Sequence, residues 1–344
     1  LRNAGSDPRI GGLLDKVRLV SVPVVNPDGF EKTRTLPTME YKRKNCRVLD
    51  GQTPPAGACA LGASILPIWP LETGVDPNRN YGGFWGGPGA SGVPLQLTYY
   101  GAGPFSEPES QNVRELVSGR QVVTLITNHT YSNLVLRPPG LAGQEATPDE
   151  GIYKALGDKM AAQNGYTSQY SYQLYDTTGT TEDWSYHATG GLGFTFEIGP
   201  SEFHPAYERL ADFYYGAGEH AGKGNREAWL IALESTANAA RHSVIEGSGP
   251  AGATLRLHKT FQTPNHDGST FTDTLDTTMT VPPSGSYAWH TNPSTRPLIG
   301  KEGKTETWKL TCERPDGTVL QTENVEVKRG AAATVNLTEC AATF

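Results

Sequence analysis

No stretch of this sequence approaches the roughly 20 consecutive apolar residues that a membrane-spanning helix needs, so a helical membrane span is excluded. Charge is scarce too. Asp, Glu, Lys and Arg make up 19% of the 344 residues, below the ~25% usual in globular domains. The net charge is only −7, and bases lie scattered among acids. No basic face is left for a phosphate backbone, which sets nucleic-acid binding aside. Cysteine is limited to Cys46, Cys59, Cys312 and Cys340. None of them forms the C-x-x-C of zinc ribbons and redox motifs. Two locally paired disulfides, Cys46–Cys59 and Cys312–Cys340, are expected, and with them an oxidising, extracellular compartment; the alternative is four buried thiols. What the sequence has in quantity is Gly (40) and Pro (25), with 15 Tyr and 10 Phe. This is the composition of a loop-rich globular protein, long enough for about two domains.

From residue 14 to about 245, strand-type apolar runs alternate with helical patterns, as in an α/β layer with a largely parallel sheet. Val17–Val25, Val122–Ile126 and Gly193–Ile198 read as buried strands. Ser106-x-x-Glu109 and Thr147-Pro148-x-Glu150 read as capping boxes opening amphipathic helices. A further helix is predicted over 225–242. Gly247-Ser248-Gly249-Pro250 then breaks the pattern. The expected organisation is an α/β domain over 1–246 and a small all-β sandwich over 247–344. In the second part Leu255/Leu257, Trp308/Leu310/Cys312, Val325/Val327 and Val335/Leu337 repeat every second residue, around a Pro315-Asp316-Gly317 turn. Cys312 and Cys340 are expected to tie two of its strands.

In open α/β sheets the chemistry gathers at the carboxyl ends of the strands. There stand Asn128-His129-Thr130-Tyr131-Ser132 after one run and Glu197 near the end of another. Strand alternation puts Thr195 and Glu197 on one face and Phe194 and Phe196 on the other. A carboxylate among apolar neighbours is desolvated, which raises its pKa toward the range of a general base; the plainer reading pairs Glu197 with an arginine. A cationic cluster lies earlier, in residues 41–46 and 74–81. Arg43 and Arg79 present forks suited to a carboxylate, and Asn78 could add an amide donor. Lys42 and Lys44 read as solvated.

In order along the chain, VVNPDGF at 24–30, KRKN at 42–45, GVDPNRNY at 74–81, FSEPE at 105–109, HTYSNLVLRPPG at 129–140, Tyr175 through GTTEDW at 179–184, and FTFEIG at 194–199 resemble the zinc carboxypeptidases of the pancreatic-type and bacterial secreted branch. The resemblance runs from residue 10 to about 245. It implies a mixed, largely parallel sheet flanked by helices, one bound Zn2+, and removal of C-terminal residues from a peptide or protein substrate with a free C-terminus. Position by position, it implies that His129 is a zinc ligand and Glu197 the base that activates water. Arg43 would stabilise the oxyanion, and Asn78 with Arg79 would bind the terminal carboxylate. Tyr175 resembles the mobile tyrosine that closes over the bound residue, and Tyr131 a subsite aromatic. Glu182 falls where the family faces the departing side chain, and an acid there implies a preference for Lys or Arg; the alternative is a Glu182 turned to solvent in an enzyme of broad specificity.

One departure stands against these matches. The family draws its other two zinc ligands from an H-x-x-E motif, and none of the eight histidines here is followed three residues later by Glu. A catalytic zinc takes three protein ligands. The remaining ligands are expected upstream of residue 1, in a parent of which this chain is an N-terminally incomplete piece, and the chain alone is expected to be inactive. The second reading is a non-catalytic peptide- or surface-binding protein with a degenerate peptidase domain, its sandwich contacting a surface or a glycan. Trp289 and Trp308 would be the stacking platform, although their alternating neighbours favour core packing. A secreted monomer is expected in either case.

Overall fold

The computed structural model describes residues 4–35, 40–48 and 73–344. In chain order its elements are α1 (Pro8–Leu14), α2 (Pro27–Thr35), α3 (Pro108–Ser118), β1 (Thr124–His129), β2 (Leu134–Arg137), α4 (Glu150–Asn164), β3 (Thr167–Tyr170), α5 (Thr181–Thr189), β4 (Leu192–Glu197), α6 (Tyr207–Tyr215) and α7 (Asn225–Ala237). They continue with β5 (Ser243–Ser248), β6 (Thr254–Pro264), β7 (Thr270–Thr280), β8 (Ser286–Thr291), α8 (Pro297–Lys301), β9 (Trp308–Glu313), β10 (Val319–Val325), β11 (Ala332–Thr334) and α9 (Thr338–Thr343). No helix among the described residues is long and apolar enough to cross a membrane.

The first sheet has the order β1-β4-β2-β3. β1 runs parallel to β4 and β2 parallel to β3, while β2 and β4 are antiparallel, so the sheet is mixed, as expected. Strand alternation decides what each face of β4 meets. Phe194 and Phe196 join Tyr153, Leu156 and Met160 of α4 and Ala228 and Ile231 of α7 in one core. On the opposite face Gly193 lets α5 come close, because a Cβ there would sit 2.7 Å from the Glu182 main-chain oxygen. The C-terminal strands form a four-stranded sheet, β10-β9-β6-β7, and a three-stranded one, β11-β5-β8. Leu255, Leu257, Trp289 and Trp308 pack in a core shared by both sheets. β5 begins at Ser243, so this strand spans residue 247.

Several sequence expectations change. Residues 17–25 are not a strand, and Leu19, Val20, Val22 and Val25 are exposed. Among the described residues no strand lies beside this segment, and apolar content without a ladder partner does not make a strand. Neither capping box closes. The residues before α3 and α4, Glu107 and Asp149, make no side-chain cap; Ser106 donates instead to Glu107 at 2.8 Å, and Glu150 binds Arg137 at 2.8 Å. Lys42 and Lys44 are buried rather than solvated: the Lys44 ammonium donates to the main-chain oxygens of Pro94 at 2.8 Å and Gln96 at 3.0 Å, so protein oxygens take two of its three donors in place of water. Cys312 and Cys340 are joined, but the bridge ties β9 to helix α9 rather than two strands. The expected Cys46–Cys59 pair involves Cys59, which lies outside the described residues.

Candidate active site

The parallel register of β1 and β4 sets His129 beside Glu197, each the last residue of its strand. Both therefore open onto the carboxyl ends of the sheet, where chain reversals leave a crevice. The residues 74–81 supply the opposite wall. Asp76 caps a single turn at Pro77–Arg79 by accepting from the Asn78 amide at 3.0 Å. The Pro at the first position of that turn is pre-set for it. α5 supplies the floor. Its first turn carries Glu182 and Asp183, where the helix dipole favours acids.

One pocket collects seven of the eight predicted residues: Arg43, Asn78, Arg79, His129, Tyr175, Glu182 and Glu197 line it. Tyr131 lies outside it and packs edge-on against Phe203 at 4.8 Å. Tyr175, 49% exposed, stands at the mouth. Arg79 is 2% exposed; its Nε donates to the Gly89 oxygen at 2.8 Å and its Nη1 to the Asn78 oxygen at 2.7 Å. That fixes the guanidinium plane while using two of its five donors. Asn78 Oδ1 accepts from the backbone and hydroxyl of Thr181, both at 3.1 Å. This turns Nδ2 inward, 3.4 Å from His129 Nε2. Arg43 is held by Asp76, Nε to Oδ2, at 2.6 Å.

The electrostatics follow from burial. Glu197 is 6% exposed and makes no ion pair among the described residues, against the plainer sequence reading. Desolvation, with the nearby Glu182 adding to it, pushes its pKa up to about 7. Desolvation and the two arginines push His129 down to about 4, so it is neutral at pH 7. Burial raises Glu182 as well, and its Oε2 has no hydrogen-bond partner among the described residues. An unpartnered buried carboxylate oxygen is costly unless something arrives to meet it.

Sequence reasoning missed Asp76, which aims Arg43, and Thr181, which aims Asn78. An Asp directly before Pro in D-P-N-R is a readable cap signal, and the structure uses it that way. No local signal shows that Thr181 reaches Asn78 across 103 residues.

The sequence model of the zinc carboxypeptidase family matches residues 1–214 of this chain. The chain belongs to the zinc carboxypeptidase family. Among its relatives, mouse carboxypeptidase A1 is 29% identical over 204 residues, covering 57% of this chain and 44% of its own length. A zinc carboxypeptidase of Saccharothrix mutabilis subsp. capreolus is 31% identical over 217 residues, covering 59% and 44%. The chain thus spans less than half the length of the curated relatives it matches. In fold it is similar to the crystal structure of thrombin activatable fibrinolysis inhibitor, with a TM-score of 0.53 at 22% identity over 67% of this chain and 56% of that one. Among the described residues, however, no three His, Cys, Asp or Glu side chains are grouped to hold a metal ion. His129 has the Asn78 amide beside it rather than a second ligand. These residues by themselves do not make a zinc site.

Proposed function

We propose that this chain carries the substrate-binding wall and the general base of a secreted zinc carboxypeptidase that removes C-terminal residues, with basic residues preferred. The single observation that carries this reading is the convergence of Arg43, Asn78, Arg79, Tyr175, Glu182 and Glu197 on one pocket. Arg79 and Asn78 would grip the terminal carboxylate with charge-assisted hydrogen bonds. The partnerless Glu182 oxygen would meet the ammonium or guanidinium of a C-terminal Lys or Arg. Glu197 would take a proton from the attacking water as its oxygen bonds to the scissile carbonyl carbon. When the C–N bond breaks, that proton passes to the departing amine. Arg43 would stabilise the negative oxygen formed in between. His129 is the metal ligand this chain would contribute. The disulfide agrees with an oxidising compartment, and the C-terminal sheets, from β5 at Ser243 onward, would form an accessory β-sandwich of a monomer.

Peptide binding tests the substrate part without requiring turnover. Fluorescence anisotropy is measured with peptides ending in Lys or Leu, each as free acid and C-terminal amide. The free acid should bind more tightly than the amide, and Lys more tightly than Leu. Arg79→Ala should abolish the acid preference, a loss of about 10- to 100-fold for a charge-assisted pair, and Glu182→Gln the Lys preference. A wild-type chain that does not distinguish acid from amide contradicts the reading.

A further inference from the structure

Two independent contact routes run from the C-terminal sheets to the residues assigned to the substrate carboxylate. The first starts at Asp273 on β7, which is fully buried. Its carboxylate accepts from Trp184 Nε1 at 2.9 Å and from Arg114 Nε at 2.9 Å. Trp184 lies in the first turns of α5, and the same helix begins with Thr181, whose backbone and hydroxyl hold the Asn78 carboxamide. The second route starts at the tip joining β6 to β7. The Phe84 amide donates to the Pro264 oxygen at 2.9 Å, and the His266 amide to the Trp85 oxygen at 3.0 Å. These bonds brace the loop that ends at Gly89, the residue whose oxygen fixes Arg79 Nε.

A buried carboxylate is costly to keep unless its partners repay the desolvation. Here the close partners are the Arg114 guanidinium on α3 and the Trp184 indole on α5, both in the family-matched region, and the sheet that carries the acid adds the Thr263 hydroxyl at 3.4 Å. We propose that the β6–β7 hairpin forms the outer support of the carboxylate-binding pocket, and that Asp273 is a positioning residue that sets Asn78 through Trp184 and α5. The C-terminal sheets then contribute to substrate recognition without touching substrate. The proposal rests on the carboxylate-binding reading of Asn78 and Arg79.

The test uses the full chain and the ratio of affinities for a peptide as free acid and as C-terminal amide, a quantity that general loosening of the fold does not move selectively. Wild type is measured first, beside Asp273→Ala and Trp184→Phe; the latter keeps an aromatic ring in the core while deleting the indole donor and part of the indole's volume. Circular dichroism fixes a temperature at which each variant is folded. Both variants should lower the acid/amide ratio, Asp273→Ala by about tenfold, the scale of one misaligned charge-assisted contact. If Asp273→Ala does not fold, Trp184→Phe decides. A wild type without acid preference removes the carboxylate reading and this proposal together. An acid/amide ratio in Trp184→Phe equal to that of wild type, whatever its melting temperature, overturns the positioning role alone.

Discussion

At the scale of single residues, Glu197 gives the pocket a pH dependence that can be tested. Burial and Glu182 lift it to about 7, whereas a Glu in an unfolded chain titrates near ~4.3. Between those values the folded protein holds a proton that the unfolded chain has released, so this group's contribution to stability declines as pH rises through the window. Glu197→Gln removes the titration. In chelator-treated protein the variant should match wild type near pH 4 and gain up to about 3 kcal/mol at pH 8, from ~1.4 kcal/mol per pK unit. Urea melts at the two pH values read this directly, and a difference independent of pH contradicts the assignment. The same titration acts on the base role with the opposite sign: a base must be ionised, so hydrolysis that depends on Glu197 should rise through this window and fall off below about pH 7. This residue was legible in the sequence because period-2 alternation placed it opposite Phe194 and Phe196. Lys44 was not. The oxygens that satisfy it come from Pro94 and Gln96, 50 and 52 residues away, and no local pattern shows a partner at that range.

Among the elements, α5 joins pocket and sheet. It ends at Gly190, whose left-handed conformation (φ 78°) only glycine adopts without cost. It settles on β4 at Gly193, where an added Cβ would stand 2.7 Å from the Glu182 oxygen and 2.9 Å from Ser185 Oγ. The first of these atoms is main chain and cannot rotate away. Gly193→Ala must therefore lift the helix, and should destabilise the protein by about 1–3 kcal/mol, as overpacking does. Urea denaturation measures this, and an unchanged midpoint would mean that α5 is free to shift. Strands β1 and β4 could be read from their β-branched and aromatic runs. Residues 17–25 carry a similar run without forming a strand, because composition reports burial preference while a strand also needs a neighbour. β6 shows the reverse. Its inward positions include Lys259, which its charge alone would place outside although it shares the alternation of Leu255, Leu257 and Phe261, and which lies over the Trp308 ring at 4.5 Å and beside Glu306 at 3.4 Å.

At the scale of the whole molecule, the glycine-rich break at 247 marks a change of composition but does not show whether the two parts are energetically separate. The packing argues that they are not. Tyr81, Phe105, Val113 and Trp184 of the family-matched region share one buried cluster with Leu255, Leu275 and Trp308, and Asn292 of the C-terminal sheets donates to the Val122 oxygen at 3.0 Å. Arg329, with a side chain 9% exposed, pairs with Asp149 at the start of α4 at 2.7 Å. Apolar surface buried between two parts is re-exposed when either unfolds, which couples their transitions. The chain should therefore unfold in one calorimetric transition, with calorimetric and van't Hoff enthalpies agreeing. Asp149→Ala strands the buried guanidinium and should move that single transition down by about 3 kcal/mol. Two resolved peaks in wild type, or a variant in which only part of the heat absorption moves, would show that the C-terminal sheets fold apart from the pocket they flank.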